Sequence, residues 1–405
     1  MMIKGLLCFF SMLLSISILS GCWSNQELPD LALVSAIGID LSEDGEFVNT
    51  IQVINPGNVA GEGMQNTGGS ESPPVSIYTE HGYNMTEAQR RISKKVSREL
   101  YYAHTNLLVI GEKLAEERGI QEIFDALERD NEFRTTTKVV VAQDAKAEEI
   151  IKTLTSIDKI PANKVIKTLR STERIWGENI NLETRDLLQK LISPGTSPVI
   201  SCFRAPGNED KGEAIEGIQE TQPPFRLQAA GLALFKDGKL IHTVDGDTSK
   251  GILWVLDKIK ETGVSLDWKQ NKEAIVYEVI RQKTSVSAQV KNNQPKVSVE
   301  VSAEGDIGET SVPIDLRKPH VLKDLEGLVE KEIKANLLSS IKKTQELQTD
   351  VLGFGEAVHR ADSEAWKEMK KNWNDEYFPE VEVDVKVNAF IRRTGLRNKP
   401  FLLDF

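Results

Sequence analysis

Cysteine is scarce in this sequence, with three among 405 residues. Three cysteines cannot build the disulfide framework of a small secreted scaffold. Basic residues are also in the minority, because 50 Lys and Arg stand against 61 Asp and Glu, for a formal net charge of −11. A chain with this excess of acid has no general attraction for a phosphate backbone. Together these shortages exclude a disulfide-stapled fold and argue against a nucleic-acid-binding protein.

Long apolar runs are missing everywhere except at the start of the chain. Residues 6–20 form one uncharged stretch, preceded by Lys4. This stretch is shorter than the ~20 residues that a helix needs to cross the hydrocarbon of a bilayer. It is typical of the hydrophobic region of a secretion signal. The rest of the chain is therefore predicted to form a folded body and not a set of membrane spans.

The residues after this stretch indicate how the body is attached. Leu19-Ser20-Gly21-Cys22 resembles the lipobox of bacterial lipoproteins, in which the cysteine thiol receives a diacylglyceryl group and becomes the new N-terminus. Two acyl chains give durable attachment, whereas one gives marginal binding. We expect lipidation at Cys22 and a body on the extracytoplasmic face of a membrane. The alternative is an uncleaved signal anchor with a chance cysteine.

The chain is long enough for two or three domains. We predict a signal peptide at 1–21, an N-terminal domain at 22–204, an acidic Pro/Gly linker at 205–224 and a C-terminal domain at 225–400. In the first part strands alternate with helices, which predicts a mixed α/β arrangement. In the second part strands precede long helices, which predicts an α+β domain with an antiparallel sheet.

Several local patterns make sharper predictions. Strands at 31–39 and 47–54 should form a hairpin, and Asp237-Gly238 between two apolar runs should turn a second one. A single helix is expected at 114–127, separate strands at 274–280 and 285–290, and the longest helix at 319–344. Helix breaks are expected at Pro161 and near Gly177. Trp366 and Trp373 are more simply explained as a core-facing stripe than as a binding surface.

No motif for catalysis or cofactor binding withstands inspection. Gly246 and Gly251 have the spacing of a phosphate loop, but Ile252 stands where the essential lysine is required. The five histidines lack metal-ligand spacing, and Cys202 is best explained as a small buried residue. Arg129 and its charged neighbours up to Arg134 are expected to form a salt-bridge network before a strand. We therefore expect no catalytic residue, no cofactor and no metal.

The motifs taken together, in their order and spacing, resemble one family. They comprise Gly21-Cys22-Trp23, residues 27–40, Gln52 to Pro56, Ala103 to Glu112, the cluster from Arg129 to Arg134, Gly353-Phe354-Gly355, Trp366, Trp373 and a final alternating strand ending at Gly395. This set is similar to that of the Ger(x)C lipoproteins, the C subunits of nutrient germinant receptors in endospore-forming bacteria.

The resemblance implies a multi-domain fold and a non-enzymatic role. Such proteins sit on the outer face of the spore inner membrane beside two membrane-embedded partners, the A and B subunits. The complex lets spores sense amino acids or sugars and begin germination. Only Cys22 takes a defined role from the resemblance, as the lipidated residue. A lipid-anchored solute-binding protein and a surface hydrolase are the alternative functions.

Overall fold

The computed structural model describes Ile3, Gly5 and residues 28–59, 73–207, 221 and 225–394. Cys22, Gly395 and most of the predicted linker lie outside the described residues. Within these ranges the chain forms two β-sheets, of nine and four strands, with helices packed against them. The predicted mixture of α/β and α+β structure is confirmed.

The first sheet combines antiparallel edges with a parallel centre. In spatial order its strands run β3-β2-β1-β5-β6-β7-β8-β9, and β4 pairs separately with β1. The pairings β1–β5, β5–β6 and β6–β7 are parallel, and those beyond them on both sides are antiparallel. The strands are β1 Leu31–Leu41, β2 Phe47–Ile54, β3 Val75–Gly82, β4 Glu99–Tyr101, β5 Leu107–Gly111, β6 Lys138–Ala142, β7 Val199–Arg204, β8 Gln228–Lys236 and β9 Lys239–Val244.

The central strands are apolar because both faces of this sheet are covered. Leu108 and Ile110 enter the larger core, while Leu107 and Val109 enter a smaller core on the opposite face. The helices along this part of the chain are α1 Pro56–Val59, α2 Met85–Ile92, α3 Glu112–Glu117, α4 Gln121–Glu128, α5 Ala147–Lys152, α6 Pro161–Ile175 and α7 Thr184–Ile192.

The second sheet is made of long strands at the C-terminal end of the chain. The antiparallel sheet predicted for this part is correct for two pairings and wrong for the last. The last strand pairs in parallel with its neighbour because a long connection with helices separates the two strands along the chain. Its strands are β10 Thr262–Trp268, β11 Asn271–Lys291, β12 Gln294–Thr310 and β13 Glu382–Arg393. The accompanying helices are α8 Gly246–Val255, α9 Pro319–Glu346, α10 Phe354–Ala361 and α11 Ser363–Met369.

Three local predictions were wrong for identifiable reasons. The helix expected at 114–127 is two helices, because Gly119 has a φ of +86° and ends α3. Pro161 begins α6 and does not stop it, since proline is favoured in the first helical turn. The strands expected at 274–280 and 285–290 are one strand, β11, which bends at register shifts near Val279.

Other predictions were confirmed. Both hairpins are present, the second with Asp237 and Gly238 at positive φ. The longest helix extends over Pro319–Glu346, and α6 ends before Gly177, which has a φ of +74°. The domain division at 205–224 stays a prediction. Strands β8 and β9, which follow it along the chain, complete the edge of the first sheet.

Candidate functional site

The segments that carry the motif residues come together at two places in the fold. The first place is the end of the first sheet at which strand β1 begins. Strand β1 starts at Leu31, directly after a 3₁₀ turn at Leu28–Asp30, and Leu31 pairs with Glu99 of β4. The backbone N–H of Asn106 donates to the carbonyl of Ser35 in β1 at 3.0 Å. The segment from Ala103 to Glu112 is therefore fixed beside the first strand.

A groove of about 580 Å³ opens at this end of the sheet. Helix α2, the segment 99–102 and residues 126–132 form its walls. Tyr102 lies in its floor, where burial raises the pKa of the phenol, and the negative charges of Asp130 and Glu132 act in the same direction. A groove of this size can hold several side chains of another molecule.

The charged cluster on one wall of the groove differs from its prediction. Arg129 pairs with Asp125 one helical turn earlier, at 2.9 Å, and both side chains are exposed. The carboxylate of Asp130 accepts from the backbone N–H of Glu132. Among the described residues no bridge joins the cluster residues to one another, so the expected network reduces to one surface ion pair and one local turn.

The second meeting place is Asp350, a fully buried carboxylate surrounded by donors. Its Oδ1 accepts from the backbone N–H groups of Leu352, Gly353 and Phe354, and its Oδ2 accepts from Gly355 at 2.6 Å. The indole Nε1–H of Trp373 also donates to Oδ2, at 2.8 Å. Gly353-Phe354-Gly355 is therefore an anion-binding loop whose anion is supplied by the chain itself.

Hydrogen bonds and close packing both hold this loop in place. Burial raises the pKa of Asp350, while the hydrogen bonds from Gly355 and Trp373 oppose that rise. A Cβ on Gly355 would lie 2.7 Å from Gly195, so the two backbones touch. Trp366 stacks edge-on against Trp373 at 5.2 Å between ring centroids, and both are buried. The prediction of a core-facing aromatic stripe is confirmed.

Other family-like residues also serve the architecture. Gln52 in β2 is buried and accepts from the hydroxyl of Ser35 at 2.8 Å, while its amide donates to the carbonyl of Ile151 at the end of α5. Asp40 accepts from the backbone N–H groups of Ala147 and Glu148 at 2.8 and 3.1 Å, which caps the same helix. Burial raises the pKa of Asp40 to about 6.

The buried carboxyl groups Asp40 and Asp350 are thus accounted for by structural hydrogen bonds. Sequence reasoning missed both, although Asp350 lies three residues before a Gly-x-Gly loop, a spacing that permits local capping. Cys202 is fully buried, which raises the pKa of its thiol, so its predicted role as a small apolar residue is confirmed.

In the part of the chain that the structure describes, no group of three His, Cys, Asp or Glu side chains has the arrangement of a metal site. Within the same ranges, no helix is both long and apolar enough to cross a membrane. Cys22, the predicted lipidation site, is outside these ranges.

Comparisons with known proteins give a consistent result. A family model described as "Spore germination protein N-terminal domain" matches residues 24–205, and "Spore germination B3/ GerAC like, C-terminal" matches residues 230–395. The chain is 45% identical to Spore germination protein KC of Bacillus subtilis (strain 168), covering 100% of this chain and 99% of that protein.

More distant relatives extend the pattern. Spore germination protein B3 of Bacillus subtilis is 23% identical over 96% of this chain and 97% of its own length. A structure described as "Crystal Structure of the GerBC protein" superposes with a TM-score of 0.55 at 18% identity, covering 88% of this chain and 96% of that one. At that identity the superposition shows a shared fold.

Proposed function

Since the chain belongs to the GerAC-like family of spore germination proteins, we propose that it is the lipid-anchored C subunit of a spore nutrient germinant receptor. One observation supports this most strongly: the 45% identity to Spore germination protein KC runs over the whole length of both chains. The identity therefore extends over both parts of the chain that the family models match.

The anchor is the first part of the proposal. The Leu-Ser-Gly-Cys sequence ending at Cys22 supports lipidation there, and the first described element of the body follows closely, at Leu28–Asp30. A short connection keeps the body at the membrane surface. It raises the effective concentration of the body toward proteins in that membrane without any further contact.

The second part concerns partners and place. In this proposal the body lies on the outer face of the spore inner membrane and binds the membrane-embedded A and B subunits. It acts by binding and positioning and has no reaction of its own. The structural use of Asp40 and Asp350 is consistent with this, because neither carboxylate is free to act on a substrate.

The solute-binding alternative gains less support. Such proteins enclose a ligand between two similar lobes, whereas the two sheets here differ in strand number and order. Calorimetric titration of the purified protein with candidate amino acids and sugars separates the two hypotheses. Tight binding of one nutrient by this chain alone would favour the solute-binding function.

The decisive variant is Cys22→Ala in spores. We expect the diacylglyceryl group to be absent by mass spectrometry, the A and B subunits to lose their association with this chain, and nutrient-triggered germination to fail. Cys8→Ala changes a cysteine inside the predicted signal peptide and is the matched control, with normal germination expected. Normal germination and unchanged pull-down of the membrane subunits in Cys22→Ala would refute the proposal.

A further inference from the structure

Basic side chains are concentrated in one short segment of this acidic protein. Residues 90–98 contain five of them, at positions 90, 91, 94, 95 and 98, whereas the chain as a whole carries a net charge of −11. Two of the five have partners: Arg91 pairs with Glu87 at 2.6 Å, and Lys95 pairs with Glu80 at 3.1 Å.

The other three side chains are available for an external ligand. Arg90, Lys94 and Arg98 are exposed, and none of them has an ion-pair partner or a side-chain hydrogen bond among the described residues. We call these three residues the basic surface. Arg90 and Lys94 line a shallow concavity of about 410 Å³, and Arg90 also borders the larger groove. The acidic wall of that groove, with Asp130 and Glu132, lies on its other side.

The position of the basic surface relative to the start of the body is fixed by strand pairing. Arg98 immediately precedes β4, whose first residue, Glu99, pairs with Leu31 at the start of β1. The described chain reaches Leu31 from Leu28, and Cys22 precedes Leu28 by only a few residues. Even fully extended at ~3.5 Å per residue, the connection spans about 20 Å. The basic surface is therefore held within reach of any membrane to which Cys22 is attached.

We propose that the basic surface docks the body onto anionic phospholipid headgroups beside the lipidated N-terminus. The inference rests on the proposed anchor at Cys22. A tether alone lets an acidic body tumble and be repelled by an anionic membrane, whereas a basic surface next to the tether gives it one orientation. Each Lys or Arg close to such a surface strengthens the contact about fivefold, and this attraction fades beyond ~10 Å at moderate salt.

The docked orientation leaves the acidic groove wall at the edge of the contact. Asp130 and Glu132 would be repelled by the same headgroups that attract Arg90 and Lys94, so the charges on the two sides of the groove set the tilt of the body.

The test uses the full lipidated chain reconstituted in vesicles, with a fluorophore on Ser97→Cys. Cys202 is fully buried and does not compete for the label. Quenching by nitroxide-headgroup lipid reports docking. We expect quenching on vesicles that contain phosphatidylglycerol at low salt, and none on neutral phosphatidylcholine or at 0.5 M NaCl. The Arg90→Gln/Lys94→Gln/Arg98→Gln variant should lower the ratio of docked to undocked protein about 100-fold.

A matched control distinguishes the effect of where the removed charges lie from the effect of the change in net charge. Lys334→Gln/Lys370→Gln/Lys371→Gln removes the same charge from exposed positions near the second sheet and should leave the quenching unchanged. Equal losses in both triple variants would overturn the proposal, as would quenching that is insensitive to salt or to lipid charge. Inorganic phosphate should compete no better than NaCl of equal ionic strength. Specific competition would indicate a free-anion site and contradict docking on lipid.

This experiment distinguishes an error in the proposed anchor from an error in the proposed docking surface. Retention on neutral vesicles, with mass spectrometry of the N-terminus, reports the anchor alone. Retention without salt-sensitive quenching would overturn the docking proposal and leave the anchor intact. Salt-sensitive quenching on anionic vesicles, without retention on neutral ones, would overturn the anchor and leave the basic surface as the membrane contact.

Discussion

Trp373 donates its indole N–H to the buried carboxylate of Asp350 at 2.8 Å, and this bond joins two segments that the chain separates by more than twenty residues. The backbone carbonyl of Asp350 accepts from the N–H of Ser197, just before β7 of the first sheet, at 2.7 Å. Asp350 therefore links the loop before α10, the aromatic cluster and the first sheet. The Gly353-Phe354-Gly355 motif is explained by this link.

Asp350→Asn should destabilise the protein by about 3 kcal/mol. The amide has one acceptor oxygen where the carboxylate has two, and its NH₂ group faces other N–H donors. These are the donors of Gly355 and Trp373 in one orientation of the amide, and those of Leu352 and Phe354 in the other. Each buried donor left without an acceptor costs about 1–3 kcal/mol. Urea denaturation followed by tryptophan fluorescence measures the change.

Asp375→Asn is the matched control for this prediction. Asp375 is exposed and pairs with Lys236 on the surface, so the same chemical change there should cost less than about 1 kcal/mol. Equal effects at the two positions would show that the donors around Asp350 do not depend on its charge.

Alanine substitution at two glycines should change the stability of the protein in opposite directions. One of them, Gly251, packs against α9, and the other, Gly327, lies within it. A Cβ on Gly251 of α8 would lie 2.0 Å from Oγ of Ser340 and 2.9 Å from the carbonyl of Asn336, so the two helices would be forced apart. Gly251→Ala should cost about 1–3 kcal/mol. Gly327 lies within α9 with nothing near its missing Cβ, and Gly327→Ala should stabilise by about 0.5–1 kcal/mol.

Thermal denaturation of both variants tests this pair. Gly251→Ala should cost less in the Ser340→Gly background than in the unsubstituted protein, because the two nearest clashing atoms are then absent. A destabilised Gly327→Ala, or an equal cost of Gly251→Ala in the two backgrounds, would contradict the assigned packing.

The sequence was sufficient to predict most strands and both hairpins, because the residue pattern within each of these segments indicates which side chains are buried. The 107–111 run is apolar at nearly every position, as a strand covered on both faces must be. Asp237-Gly238 supplies the positive φ values of the turn. The parallel pairing of β13 with β12 could not be read in this way, since it depends on where the long helix α9 returns the chain.

The candidate site was less predictable for a similar reason. Arg90, Lys94 and Arg98 look like an ordinary solvated helix face until the pairing of Glu99 with Leu31 places them beside the start of the body. Asp350 could be recognised only after the fold brought Trp373 to it. Long-range contacts, which no local pattern encodes, define both places.

Two glutamates of α9 accept hydrogen bonds from β13, the edge strand of the second sheet. Glu330 accepts from the backbone N–H of Ala389 at 3.1 Å, and Glu326 accepts from that of Ile391 at 3.0 Å. Edge strands with free N–H groups recruit other strands. Glu326→Ala/Glu330→Ala should therefore speed amide exchange at positions 389 and 391 and increase aggregation on heating.

Hydrogen exchange with light scattering checks this prediction. Glu332→Ala, an exposed change on the same helix, is the control and should alter neither measurement. Unchanged protection of the two amides in the double variant would mean that the glutamates do not protect the edge.

Asp40 should make stability depend on pH in the acidic range. Burial raises its pKa from 3.8 to about 6 in the folded protein, so between these values the folded state holds a proton that the unfolded state has lost. The contribution of Asp40 is therefore greatest below about pH 4 and falls as the pH rises to about 6, by about 3 kcal/mol in total. Asp40→Asn cannot titrate and lacks this loss.

The measurement is the difference in unfolding free energy between the unsubstituted protein and Asp40→Asn from pH 4 to pH 7, which cancels the titration of all other groups. We expect the unsubstituted protein to lose stability relative to the variant as the pH rises. A difference that grows in favour of the unsubstituted protein with rising pH would mean that the N–H groups of Ala147 and Glu148 outweigh burial and hold the carboxylate charged.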